Sequence, residues 1–246
     1  MSYNYREGKK RIIEILNSPN DVDERNEVPN DSAFDYGNAI IAPVASVFVD
    51  IRKSSDYFTK QPKKQVAKMI RSYVSELVEV FRKNPNIREV GIRGDCVYSI
   101  YSADSVEALE SIIDDAANAN TIIKMLNELL AKRNYKTINV GIGLGYDGSE
   151  FVIKAGRKGS GINDFVWIGK SVIDASNCCA LSNHLYSREG IVISSDFYER
   201  IKKSKANSKE TYGDLFSPFW DGGIKRYSCN LIVINFDNWI NGGMTD

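Results

Sequence analysis

The sequence predicts an α+β fold, and three observations carry that expectation. A continuous β-branched run, Ile40 to Ile51, has the composition of a buried strand. After Pro62, Val66, Ile70, Val74, Leu77 and Phe81 recur at steps of three or four, the spacing of a helix with one apolar face. Two short strand-like runs, Ile87 to Arg93 and Cys96 to Tyr101, then flank Gly94-Asp95, a dipeptide suited to a tight hairpin.

Taken in order, Glu7 to Asn17 carries Ile12, Ile13 and Leu16 at helical spacing, and Ser18 to Asn38, with Pro19, Pro29 and Gly37, is expected to be an irregular connection. Residues 1–39 are thus a helical arm and connection, and 40–246 form one domain. Pro62 opens the first core helix in the favoured first-turn position, and that helix ends near Asn84-Pro85. A second helix is expected from about Asp104 to Arg133. Thr137 to Tyr146 and Glu150 to Ala155 are expected to form a second hairpin across Asp147-Gly148-Ser149, followed by a glycine loop from Gly156 to Gly161. Phe165 to Ile168 is a further strand, and Gly169 leads a helix ending near Leu181 or Ser182. Ile191 to Phe236 alternates strand-like runs with a basic segment, Arg200 to Lys209. The order strand, helix, strand, strand, helix, strand is a ferredoxin-like βαββαβ unit, here extended by C-terminal strands and helices.

Composition narrows the chemistry. The 246 residues can bury a sizeable core without disulfides or metal staples. Thirty-two Lys plus Arg balance thirty-two Asp plus Glu, so no basic field draws the chain to nucleic acid. Apolar runs such as Ala39 to Val49 stop well short of the roughly 20 residues of a membrane helix, and Met1 to Glu7 has no apolar signal segment. A cytoplasmic protein with neither membrane nor nucleic acid as partner is expected. Cys96, Cys178, Cys179 and Cys229 form no Cys-x-x-Cys pair and are expected to be packing residues. His184 is the only histidine and is expected at a helix end, so neither a His/Cys zinc site nor a Ser-His-Asp relay is expected. Chemistry is left to carboxylates, hydroxyls, basic side chains and a hard metal ion.

Asp50 ends the first core strand and Asp95 sits at the hairpin tip. Ferredoxin-like pairing of the hairpin's second strand with the first brings the two side by side. Singly, such residues are solvated turn formers; together they make a site for a hard divalent cation, which binds through one or two carboxylates and substrate phosphates. The following Arg52, Lys53, Ser54 and Ser55 offer backbone N–H groups and a helix start to phosphates. The Gly156 to Gly161 loop lacks the closing Gly-Lys-Ser/Thr of a P-loop.

These motifs resemble a known family. Val47-Phe48-Val49-Asp50-Ile51-Arg52-Lys53-Ser54-Ser55, then Arg93-Gly94-Asp95-Cys96-Val97-Tyr98-Ser99-Ile100-Tyr101, then Val140-Gly141-Ile142-Gly143-Leu144-Gly145 are similar to the metal-binding strand, metal-binding hairpin and following strand of class III nucleotidyl cyclases. Lys154 to Asp164 with Val166-Trp167-Ile168-Gly169 resembles, more narrowly, the bacterial pyrimidine cyclases of the Pycsar antiphage systems. The resemblance covers roughly residues 40 to 200. It implies that Asp50 and Asp95, with the Ile51 carbonyl, hold two Mg²⁺ or Mn²⁺ ions. It further implies that a ribose 3′-hydroxyl attacks its own α-phosphorus, that the active site is completed across a head-to-tail homodimer, and that a separate effector protein binds the cyclic nucleotide.

Within that resemblance the family's transition-state Asn falls on Ile173 and its phosphate-binding Arg on Asn177, so catalytic position 177 carries no charge here. Arg93, Arg157, Lys158 and Lys170 are the candidates for the missing positive charge. Purine cyclases read adenine with a Lys and an Asp at the positions of Gly91 and Val166. Their absence implies UTP or CTP as substrate, with Arg52, Lys53, Arg93 and the backbone around Phe165 to Trp167 against the base. A purine cyclase and a degenerate nucleotide-binding protein are the alternatives, the second motivated by Ile173 and Asn177.

Overall fold

The structure is a computed structural model describing residues 3–157, 161–182, 190–207 and 209–245. Two long strands organise it. β2 (Asn38–Ile51) pairs antiparallel along its length with β5 (Val140–Arg157), and on its other side with β4 (Cys96–Ser102), which pairs with β3 (Ile87–Arg93). With α3 (Lys63–Phe81) between β2 and β3, and α4 (Val106–Ala131) between β4 and β5, the sheet order β3-β4-β2-β5 is the expected ferredoxin-like unit. Pro62 caps α3 from the preceding position, and the Ser105 hydroxyl accepts from the Ala108 N–H at the start of α4.

Alternation along β2 separates two faces. Ala45, Val47, Val49 and Ile51 meet Met69, Tyr73, Leu77 and Phe81 of α3 and Leu109, Ile112, Ile113 and Ala116 of α4 in the main core. The opposite face carries Phe48 and Asp50, and beyond them a smaller core of Ile40, Ala42, Val44, Ile100 and Val152. β6 (Ile162–Ile168) pairs with the second half of β5, while β7 (Ile191–Ser194), β9 (Ile224–Cys229) and β8 (Ser217–Asp221) extend the sheet from its first half. α6 (Ser195–Ile201), α7 (Tyr212–Leu215) and α8 (Ile234–Asn241) complete the C-terminal part.

Two expectations are corrected. Asp147-Gly148-Ser149 is no hairpin: β5 runs unbroken, and the register shifts by one extra residue between Ala42↔Glu150 and Val44↔Asp147. Pro43 lies opposite Gly148 and Ser149 and has no N–H for the ladder, so these two residues form a bulge, stitched by the Ser149 N–H to Asp147 Oδ1 at 2.9 Å. The connection from Ser18 to Asn38 is not wholly irregular. Asp21–Glu24 forms β1, parallel to the start of β2, and Val28 and Phe34 are buried in the smaller core. The preceding α1 (Tyr5–Asn17) presents Ile12, Ile13 and Leu16 to solvent. A further short helix, α2 (Ser54–Lys60), follows the turn after Asp50. Cys178, Cys179 and Cys229 are buried, and Cys96 is half-buried. His184, and Lys158 to Ser160 of the glycine loop, lie outside the described residues. Among those described, no helix is long and apolar enough to cross a membrane.

The glycine stripe of β5 has a packing cause. α5 (Lys170–Leu181) lies so close to the strand that a Cβ on Gly143 would stand 2.0 Å from the Cys179 N and 2.2 Å from the Ala175 O. Relief would require helix backbone to move. Gly143→Ala is expected to cost about 1–3 kcal/mol or more, lowering Tm by about 2–4 °C per kcal/mol. Gly148→Ala, whose Cβ meets no atom closer than 3.4 Å, should melt like the parent in the same thermal scans.

Candidate active site

The register of β2 against β4 brings the carboxylates together. Val49 stands opposite Val97, so Asp50 lies beside the turn that Gly94, at φ +64°, makes before Asp95. Burial raises the Asp50 pKa, the Asp95 charge raises it further, and the nearby Arg52 guanidinium opposes both. Arg52 Nη1 is 3.8 Å from Asp50 Oδ2. Asp95 Oδ2 is buried with no hydrogen-bond partner. A buried polar oxygen is costly unless a partner meets it. This orphaned atom beside a second carboxylate fits a hard divalent ion. Among the described residues no cluster of three His, Cys, Asp or Glu that could hold a metal forms, so a cation here would draw on the two carboxylates and on substrate oxygen.

The floor is rigid. Tyr73, fully buried, donates its hydroxyl to the Val49 carbonyl at 2.9 Å. Burial and the charges of Asp50 and Asp95 push the Cys96 thiol up to about 12, which keeps it protonated and unreactive.

Arg52 does not extend freely toward solvent. Its Nε donates to the Ser182 carbonyl at 3.0 Å, and Gly141, opposite Asp50, leaves room for the guanidinium. Lys53 adopts the left-handed conformation at φ 54° and is exposed; Ser54 and Ser55 open α2, a helix of seven residues. Arg93 is exposed on the hairpin. Lys170 opens α5 with its ammonium on Asp196 at 2.6 Å, away from the carboxylate pair. Ile173 is 61% exposed, and Asn177, one turn later, is also exposed.

Gly91 and Val166 differ in setting. Val166 is 39% exposed. Gly91 pairs with Tyr98, and a Cβ there would overlap the Tyr98 ring at 2.1 Å. Trp167 Nε1 donates to Glu89 Oε2, and the Tyr98 hydroxyl donates to Glu89 Oε1, both at 2.7 Å. Sequence reasoning named Gly91 and Trp167 but missed Glu89 and Tyr98; the signal was a glycine two residues from an acid, facing an aromatic strand.

Also missed were two carboxylates at the head of α5. Asp147 Oδ2 accepts from the Lys170 N–H at 2.9 Å and buried Glu150 Oε2 from the Ser171 N–H at 3.1 Å, favourable at a helix N-terminus. Glu150 Oε1 has no partner. Burial, only partly offset by the Ser171 hydrogen bonds, pushes Glu150 up to about 7.

The architecture is that of class III cyclase domains. A bacterial light-regulated adenylyl cyclase superposes with a TM-score of 0.59 at 18% identity, covering 82% of this chain and 98% of that one. The guanylate cyclase domain of RhGC from Catenaria anguillulae, solved with GTP, gives 0.57 at 16% identity over 78% of this chain and 98% of that one. The fold is one it shares with nucleotidyl cyclases. Sequence relatives narrow the class. A uridylate cyclase of Treponema porcinum is 42% identical over 248 residues, 100% of this chain and 84% of that protein. A uridylate cyclase of Gulbenkiania mobilis is 32% identical over 226 residues, 88% and 87% of the two. No family model matches. The chain belongs to the uridylate cyclase family of class III nucleotidyl cyclases.

The Glu150 shift makes a stability prediction. Below pH 4.5 the group is protonated in both native and unfolded states; between 4.5 and about 7 only the native state keeps the proton. Stability from this group is therefore full in acid and is lost as pH rises through that window, by about 3 kcal/mol at most. Glu150→Gln, which cannot titrate, should flatten the slope of denaturant midpoint against pH; an unchanged slope would disprove the assignment.

Proposed function

We propose that this enzyme converts UTP to cyclic UMP and pyrophosphate, with CTP as the other pyrimidine it could accept. The observation that carries the reading is the Asp50 and Asp95 pair with its buried, unpartnered oxygen, in a chain 42% identical to a uridylate cyclase. Asp50, Asp95 and the Ile51 carbonyl would hold two Mg²⁺ or Mn²⁺ ions. Bound there, such ions supply a more acidic ribose 3′-hydroxyl and neutralise charge on the triphosphate.

The chain's own part is positioning. In the proposed reaction the 3′-hydroxyl gives its proton to solvent, its oxygen forms a bond to its own α-phosphorus, the bond from that phosphorus to the bridging oxygen breaks, and pyrophosphate leaves. The attack is intramolecular, so holding the ribose and triphosphate in line supplies much of the acceleration, and the reaction needs no histidine. Arg52, anchored to the Ser182 carbonyl, restrains Asp50. Lys53, Ser54 and Ser55 in the turn and Arg93 on the hairpin are the polar groups offered to phosphates. A head-to-tail homodimer is part of the same proposal, with the exposed Ile173 and Asn177 on the face of α5 toward the partner. So is a role as an alarm signal in antiphage defence, read by a separate cyclic-nucleotide-binding effector.

Ile173 and Asn177 favour one other reading, a cyclase fold that binds nucleotide without turnover. Incubation of the purified protein with each of the four ribonucleoside triphosphates and Mn²⁺ separates the two. Cyclic UMP or cyclic CMP is expected well above either purine product, and Asp50→Ala and Asp95→Ala should each reduce it to background with little change in Tm. Equal or better turnover of ATP or GTP would refute the pyrimidine reading, and no cyclic product from any nucleotide would refute turnover.

A further inference from the structure

The sheet face that carries Asp50 also carries an aromatic wall. Phe48 lies two residues before Asp50 on the same face, so the two side chains stand about 7 Å apart along the strand. The Phe48 and Tyr98 rings stack with centroids 5.4 Å apart and planes 18° from parallel. Both are partly exposed, and nucleobases stack on such rings. A nucleotide with its phosphates at Asp50 would have this wall within reach of its base.

Tyr98 is held unusually firmly for a partly exposed side chain. Its ring lies over Gly91, where any larger residue would collide with it. Its hydroxyl is bonded to Glu89, whose other oxygen is taken by Trp167 of β6 across 78 residues of sequence. Burial and the Glu89 hydrogen bond push the Tyr98 phenol up to about 12, so it stays a proton donor across the physiological range. Gly91 and Glu89 on β3, Tyr98 on β4 and Trp167 on β6 thus make one clamped unit.

We propose that Tyr98, clamped over Gly91 by Glu89 and Trp167, is the specificity-determining residue that shortens the base subsite to a single ring. The inference rests on the nucleotide-cyclase reading above and names how that site chooses its substrate. A pyrimidine is one six-membered ring; a purine adds a fused second ring. A mobile side chain would yield to the extra ring, whereas a clamped one rejects it by collision, a repulsive route to specificity. Tyr98 acts by its ring, and Glu89 is a positioning residue that acts through it.

The test compares kcat/KM for UTP, CTP, ATP and GTP in the parent, Tyr98→Phe, Tyr98→Ala and Glu89→Ala. Tyr98→Phe keeps the ring but gives up the Glu89 hydrogen bond, so it should lower the pyrimidine-to-purine ratio no more than Glu89→Ala does. Tyr98→Ala should lower that ratio by about tenfold or more, and Glu89→Ala should lower it less, in the same direction. A purely structural defect would reduce all four nucleotides alike. A folded Tyr98→Ala enzyme with the parental ratio would overturn the inference. Should Tyr98→Ala fail to fold, ATP inhibition of UTP turnover by the parent decides: a Ki for ATP about tenfold or more above the KM for UTP supports the short pocket, and a Ki equal to that KM overturns it. Absence of UTP turnover by the parent would instead count against the proposed function.

Discussion

The register between β2 and its two neighbours is the constraint on which the rest of the site depends. Pairing Val49 with Val97 places Asp50 at the Gly94-Asp95 turn, and pairing Asp50 with Gly141 leaves a gap on the other side into which Arg52 folds. Side chains alternate along a strand, so a slip of one residue would turn Asp50 into the main core and Val49 out of it. The apolar set Ala45, Val47, Val49 and Ile51 against α3 and α4 therefore fixes the acid pair as firmly as it fixes the core. Bringing two carboxylates together is unfavourable by itself, and the Asp50 pKa is raised first by burial and then by the Asp95 charge. Core packing holds the pair together against that cost.

A second close approach shapes the same face. Gly143 and Gly145 let the backbone of α5 rest directly on β5, and the bulge opposite Pro43 turns Asp147 and Glu150 toward the helix start. Those two carboxylates bind the first N–H groups of α5, so the helix is aimed by the strand beneath it. The exposed Ile173 and Asn177 inherit their direction from that seating.

Much of this was legible in sequence, for identifiable reasons. The 3.6-residue spacing from Val66 to Phe81, the β-branched run of β2 and the Gly94-Asp95 turn are local signals that tertiary packing reinforces. Asp147-Gly148-Ser149 misled because a turn and a bulge use the same residues, and the deciding Pro43 lies about a hundred positions away. β1 escaped notice because all four of its residues are exposed and polar or isolated, leaving no alternation to detect. Asp50 and Asp95 could be paired in advance through topology. Glu89, Tyr98 and Trp167 could not, because a hydrogen bond spanning 78 residues leaves no periodic trace.

The central claim is that the Asp50 and Asp95 pair is a cation site for a nucleotide triphosphate. Electron paramagnetic resonance of Mn²⁺ titrated into the protein with a UTP analogue that cannot cyclise tests it most directly. The account predicts that protein added to Mn²⁺ and analogue quenches the free Mn²⁺ signal further than the analogue does alone, and that Asp95→Asn, with its fold intact, loses this extra quenching. Equal extra quenching by Asp95→Asn and the parent would contradict it.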